Sequence, residues 1–210
     1  MLVTTRQKHQ LNPPPLALTL NGSTIFWHAH TNMVSKSLSK NLHLLSQIKQ
    51  FTNEDARKLF CNAYILPHIN YCSTVWDSCS DASLEQINSQ HRRAARLVID
   101  SDENTNTDEK MKLLGMLPLR QQFLYNKLIL MRKVTLGKAP EYILNLIKDN
   151  DSPYETRGNP IYYPKPRIDF CKASFTFSGP HAWNEIPKQI QSISSLSTFK
   201  KRVHKHLFES

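Results

Sequence analysis

Apolar residues return at three- and four-residue intervals through most of this chain, and that spacing commits it to helices packed on one another. Val34, Leu38, Leu42, Leu45 and Ile48 form the first row, with Lys36, Lys40 and Lys49 between them, which predicts an amphipathic helix over about Asn32 to Gln50. Thr52 or Asn53, followed by the acids Glu54 and Asp55, marks the next helix start, because carboxylates favour the positive end of the helix dipole. That second helix runs through Leu59, Phe60, Ala63 and Tyr64 until Pro67, which must kink or divide it. Ser83 begins a third, with Leu84, Ile87, His91, Ala94, Ala95 and Val98 along one face and Arg92, Arg93 and Arg96 on the other.

Residues 101–109 are polar and acidic and read as a loop, and a short helix follows from Asp108 to Leu114, closed by Gly115. Pro118 opens the longest apolar helix, whose hydrophobic residues spread around much of its circumference, as expected of the central member of a bundle. Gly137 closes it, and Ala139 to Lys148 make a further short helix with Pro140 near its first position. The four prolines between residues 149 and 170 predict an irregular or extended connector. A last helix, capped by Ser197 or Thr198, carries Phe199, Val203 and Leu207 on one face and Lys200, Lys201, Arg202 and Lys205 on the rest. The expected fold class is therefore mainly α: an irregular helical bundle with a Pro-rich extended connector and a short helical C-terminal segment packed through Trp183 and Phe199. The expected divisions are a loose leader at 1–30, stiffened by Pro13 to Pro15, a helical domain at 31–148, the connector at 149–170 and a helical tail at 171–210.

Charge is the compositional outlier. Twenty-seven Lys plus Arg against seventeen Asp plus Glu give a net charge of +10, which points to a polyanionic partner. The candidate contacts are Arg92, Arg93 and Arg96 on one helix and Lys200, Lys201, Arg202 and Lys205 on another, since gripping a sugar-phosphate backbone needs charge and reach rather than base-specific geometry. Other chemistry finds little support. Cys61, Cys72, Cys79 and Cys171 lack the paired spacing of a zinc ribbon, and Cys61 and Cys72 lie in apolar segments where a thiol acts as a small buried hydrophobe. His204 and His206 are two apart and point to different helix faces, and His28 and His30 are spaced alike, so no metal or other cofactor is expected. With five glycines in all there is no phosphate-cradling loop and no nucleophile elbow, and no small-molecule substrate is expected. Trp76, Tyr162, Tyr163 and Trp183 are read as packing residues rather than base-stacking platforms. Arg6, Lys8 and the proline run leave residues 1–20 without a long uninterrupted apolar stretch, so neither a signal peptide nor a membrane span is expected, and the cytosol or nucleus suits the chain.

Four segments occur in a fixed order: NAYILPHINYCSTVW (Asn62 to Trp76), HRRAARLVID (His91 to Asp100), MLPLRQQFLYNK (Met116 to Lys127) and GPHAWNEIP (Gly179 to Pro187). Together they resemble the region that follows the polymerase domain in reverse transcriptases of non-LTR, LINE-like (jockey-type) retrotransposons. Tyr64, Pro67, Tyr71 and Trp76 stand where that family has a Tyr, Pro, Tyr and Trp. Gln90 to Leu97 is similar to its basic helix, Leu117 to Leu119 to its Leu-Pro-Leu element, and Ala139, Pro140 and Tyr142 to its Ala-Pro-x-Tyr step. Gly179, Trp183, Asn184, Ile186 and Pro187 match its last marker, followed by Phe199 and Lys200. The resemblance implies a helical thumb-like domain at 31–148, a palm-edge remnant at 1–30 and a tail. It also implies an RNA or RNA:DNA hybrid partner and, in the parent protein, a polymerase palm that is missing here. No Asp-Asp pair occurs in the 210 residues, and polymerisation needs converging carboxylates on two metals, so the expectation is a non-catalytic fragment. Asp149 and Asp151, in a Pro-flanked loop, are read as solvated. The alternatives are a helical protein-interaction domain or a relic without selected activity.

Overall fold

The computed structural model describes residues 18–20, 23–25, 27–99, 106–147, 161, 166, 172 and 174–209, and among these the chain is mainly α. Two three-residue strands, β1 (Leu18–Leu20) and β2 (Ser23–Ile25), form an antiparallel pair in the register Leu18 to Ile25, Thr19 to Thr24 and Leu20 to Ser23. The leader expected to be loose thus holds a hairpin.

Helix α1 (Trp27–Ile48) starts five residues before the expected Asn32. Trp27 packs on the core and Thr31 is buried with its hydroxyl donating to the His28 carbonyl at 3.1 Å, so the apolar face extends upstream of the row read from the sequence. Leu38, Leu42 and Leu45 are fully buried, each contributing about 1.5–3 kcal/mol. A 3-10 turn (Lys49–Phe51) leads into α2 (Glu54–Phe60), where Asn53 Oδ1 accepts from Ala56 N at 2.9 Å and so caps the helix as expected.

From α2 the helix widens into a single π turn (Cys61–Ile65) before α3 (Leu66–Asn70), with Pro67 in the first turn. The Leu66 amide reaches back five residues to the Cys61 carbonyl, which accommodates a proline without breaking the helix. The extra residue rotates the apolar face. Arg57, Cys61, Ile65 and Ile69 point inward, whereas Leu59 and Tyr64, read from the sequence as part of the helix's apolar row, are 70% and 57% exposed. Cys72, at φ 49°, turns the chain into the short α4 (Ser73–Trp76) and is itself exposed, so it is not the buried hydrophobe expected. Trp76 is the anchor of this region. Its indole N–H donates to the Tyr71 carbonyl at 2.9 Å, and its ring meets Phe123 edge-on at 4.9 Å and His30 at 5.5 Å.

Helix α5 (Asp81–Val98) begins two residues before Ser83, with Ser80 as its cap, and packs mainly on α1. Gln90 fixes their register by donating to Ser35 O at 3.1 Å and to Ser39 Oγ at 2.8 Å. Helix α6 (Thr107–Leu114) is capped by Asn106 and closed by Gly115 at φ 68°. Helix α7 (Leu119–Thr135) serves two cores: Leu119 and Phe123 join the one built on α1, while Leu128 and Met131 join one completed by the C-terminal helices.

The helix expected over Ala139 to Lys148 is shorter, α8 (Glu141–Leu144), opened by Pro140. Most of the connector, with Asp149, Asp151, Tyr162 and Tyr163, lies outside the described residues, as does Cys171. Helix α9 (Phe175–Glu185) contains Pro180, α10 (Lys188–Gln191) is one turn, and α11 (Leu196–Glu209) closes the chain. Its first amides are met by Ser195, whose hydroxyl accepts from Thr198 N at 3.5 Å, rather than by Ser197 or Thr198. Trp183 stacks on Phe199 at 5.7 Å. Gly179 lies under the ring of Phe175 and against Met131, where an added Cβ would sit 2.9 Å from both Met131 Sδ and Phe175 Cε2.

Candidate nucleic-acid interface

Helix α5 buries Leu84, Ile87, His91, Ala94, Ala95 and Val98, which forces Arg92, Arg93 and Arg96 toward its outer side. Two of the three are engaged there. Arg92 lies 3.3 Å from Asp108 with 39% of its side chain exposed, and Arg96 donates to Thr107 Oγ1 at 3.3 Å. Arg93 and Arg96 are exposed. Thr107 and Asp108 in the first turn of α6 thus temper the arginine face, a contact between separate helices that spacing along the sequence does not reveal.

The second cluster stands freer. Phe199, Val203 and Leu207 face the core, so Lys200, Lys201, Arg202 and Lys205 emerge on the outer face of α11, all exposed. Among the described residues only Lys205 of this set has an ion pair, with Glu209 at 3.6 Å, and an exposed pair of that kind contributes about 0–1 kcal/mol. Helix α11 meets the α6 region through residues outside its lysine cluster. His204 Nε2 lies 3.1 Å from the Gly115 carbonyl, and Phe208 shares a small depression of about 230 Å³ with Asp108, the partner of Arg92.

Beside the lysine cluster is a larger, half-open cleft of about 520 Å³, which the sequence did not announce. One wall is the α11 stripe of Thr198, Arg202, Lys205 and Glu209; the other is the α10 turn with its flanks, including Pro187, Ile190 and Ile193. The α10 segment is too short and irregular for a periodic signal, and only its placement opposite α11 gives it meaning.

Four basic residues face inward instead. Arg57, 3% exposed, donates from Nε to Val98 O at 2.9 Å and from one terminal nitrogen to Lys49 O at 3.1 Å and Thr52 O at 3.2 Å. Arg132, 7% exposed, donates to Gln191 O at 3.1 Å and to Ile193 O, and lies over the Phe199 ring at 5.6 Å. Lys127 pairs with Asp77 at 2.7 Å in a sheltered position. Lys110 is buried on α6. Arg57 and Arg132 thus satisfy carbonyls, and Lys127 a carboxylate, within the fold.

Chemistry other than charge is sparse. Burial raises the Cys61 thiol to about 12 and the Cys79 thiol to about 11, so neither supplies a thiolate at neutral pH. His91, 1% exposed with both ring nitrogens unpartnered, is pulled down to about 4 by burial and stays neutral. His28 meets Asn32 at 2.7 Å, His30 packs on Trp76, and His204 packs on Tyr125 and Phe208, so each histidine of the spaced pairs that is described in contact serves packing or a hydrogen bond. Among the described residues no three His, Cys, Asp or Glu side chains are grouped to hold a metal, and no helix is long and apolar enough to cross a membrane. The chain matches no protein-family model, no curated protein and no solved structure.

Proposed function

We propose that this chain is a non-catalytic C-terminal portion of a LINE-like reverse transcriptase that holds RNA or an RNA:DNA hybrid by its phosphates, without regard to sequence. The observation that carries the reading is the outer face of α11, where Lys200, Lys201, Arg202 and Lys205 are exposed together beside an open cleft. Arg93 and Arg96 on α5 extend the positive surface, and Arg92 joins once a phosphate competes with Asp108. The family part of the reading rests on the ordered segments from Asn62 to Pro187, and the non-catalytic part on the lack of an Asp-Asp pair. In the parent enzyme such a region grips the template and primer, while the metal-bearing palm performs the reaction.

Each phosphate neutralised by Lys or Arg releases condensed counterions, so affinity should fall steeply between about 50 and 200 mM salt. Replacing Arg92, Arg93 and Arg96 by Gln should weaken binding to all sequences alike, and replacing Lys200, Lys201, Arg202 and Lys205 by Gln should do so more strongly. Fluorescence anisotropy with labelled RNA duplex and hybrid measures both. Absence of binding at low salt, or affinity indifferent to salt, would defeat the proposal.

A second reading, a helical protein-interaction domain, is favoured by one observation: Phe51, Leu59, Tyr64 and Tyr71, all between residues 51 and 71, are 81%, 70%, 57% and 70% exposed. Light scattering separates the two, since a stable oligomer indifferent to RNA favours this reading and a monomer that binds RNA favours the first.

A further inference from the structure

We propose that the cleft between α10 and α11 seats one unpaired nucleotide, its phosphate held by Arg202 and Lys205 and its base laid against Ile190 and Ile193. The inference rests on the nucleic-acid reading above and narrows it to a single-stranded segment. The two walls of the cleft differ in chemistry. On α11, Thr198, Arg202, Lys205 and Glu209 follow one another at helical spacing, so a hydroxyl, a guanidinium and an ammonium project along one stripe. Opposite them Ile190 and Ile193 are half-buried and present apolar surface. A ligand that fills such a space has an anionic end and a flat, weakly polar body, which describes a nucleotide. The volume of about 520 Å³ lies within the roughly 300–1,000 Å³ of small-ligand sites.

The apolar wall is held in place before any ligand arrives. Arg132, rooted in α7, donates to the carbonyls of Gln191 and Ile193. Gln191 Nε2 in turn donates to Trp183 O at 2.9 Å and Ile186 O at 3.0 Å. A wall fixed by these bonds loses little freedom on binding, which favours affinity. Glu209 stands at one end and opposes an anion, but its exposed partner Lys205 is 3.6 Å away and offsets it, and Arg202 has no ion pair among the described residues. Duplex bases remain stacked and paired, so only an unpaired strand can deliver a base to the isoleucines while its phosphate meets Arg202.

The test uses the full chain and a fluorescein-labelled oligouridylate of about 12 nucleotides, a length suited to single-strand sites, alongside an RNA hairpin duplex. Ile190→Ser changes no charge; it should lower single-strand affinity about fivefold, leave the salt slope unchanged and leave duplex affinity unmoved. Arg202→Gln should lower the single-strand salt slope by about one. If Ile190→Ser fails to fold, uridine monophosphate titrated into the unmodified 15N-labelled chain gives the same answer: amide shifts at Ile190, Ile193 and Thr198 support the site, and shifts confined to other residues overturn it. Wild-type single-strand affinity in both variants, with binding lost in the Arg92, Arg93 and Arg96 triple variant, would remove the cleft and leave the broader reading intact. Failure of the unmodified chain to bind either RNA at low salt would remove the broader reading and the cleft with it.

Discussion

Replacing Gly179 by Ala sets two opposed effects against each other. In a helix interior Ala is favoured over Gly by about 1 kcal/mol, and α9 has no positive φ at this position, so propensity alone predicts stabilisation. Against it, the new methyl would lie 2.9 Å from Met131 Sδ, 2.9 Å from Phe175 Cε2 and 3.1 Å from Phe175 Cζ, closer than carbon and sulfur tolerate. The Phe175 ring is only half-buried and can swing outward, whereas Met131 is fully buried with Leu128, Trp183 and Phe199 in the same core and has nowhere to retreat. Overpacking a closed core costs about 1–3 kcal/mol, so the net change should be a loss of about 1 kcal/mol. For a chain of this size that lowers the melting temperature by about 2–4 °C in a thermal scan followed by circular dichroism. A double-mutant cycle locates the cause: in a Met131→Ala background the methyl meets a vacated space and Gly179→Ala should become neutral or stabilising. If Gly179→Ala raises the melting temperature of the unmodified chain, or costs the same in both backgrounds, the close approach of α9 to α7 is not what excludes a side chain here.

Removing Arg57 should be among the most damaging single changes: Arg57→Met strands the Val98, Lys49 and Thr52 carbonyls and should cost about 3 kcal/mol in urea denaturation, while Arg57→Lys should recover less than half because an ammonium cannot span all three. Lys127→Met leaves the Asp77 carboxylate sheltered and unpaired and should cost about 2 kcal/mol, most of it regained by the double change Lys127→Met with Asp77→Leu; equal stability of single and double variants would deny the pairing. His91 predicts an acid sensitivity. Its folded value is depressed from 6.5 to about 4, so between these limits the unfolded chain takes up a proton that the folded one refuses, and stability falls as pH falls. The loss should reach about 2 kcal/mol at about pH 5 relative to neutrality, and His91→Leu should remove that part of the pH slope of the urea midpoint; an unchanged slope would rule His91 out.

The helices with regular apolar periods were legible in the residues themselves. Val34, Leu38, Leu42 and Leu45 identify the buried face of α1, and Leu84, Ile87, Ala94, Ala95 and Val98 that of α5, because spacing alone sorts such residues into a stripe. The face of α2 was not legible. A π turn at Cys61–Ile65 shifts the phase by one residue, and no local residue type announces it except Pro67 downstream. Charged residues misled in a different way. Arg57 and Arg132 resemble any surface arginine in sequence, since the carbonyls that hold them come from positions as far as 41 and 61 residues away. The lysine face of α11 was readable because it is one helix; the cleft beside it was not, because its opposite wall depends on how Arg132 fastens a separate segment.

Helix α7 contributes Leu119 and Phe123 to one core and Leu128 and Met131 to the other, so the segment that closes the second core, α9 to α11, completes a surface already half assembled by the first. Fragment complementation follows from this. A chain cut within the region between α8 and α9 should yield a longer piece whose α7 exposes Leu128 and Met131, and a shorter piece bearing Trp183, Phe199 and Val203 that has lost its counterpart. The two should seek each other out, folding on reunion rather than separately, and the rate at which they rejoin should rise with their concentration. A single sharp melting transition in the intact chain would express the same dependence, with α7 as the member that neither part can do without.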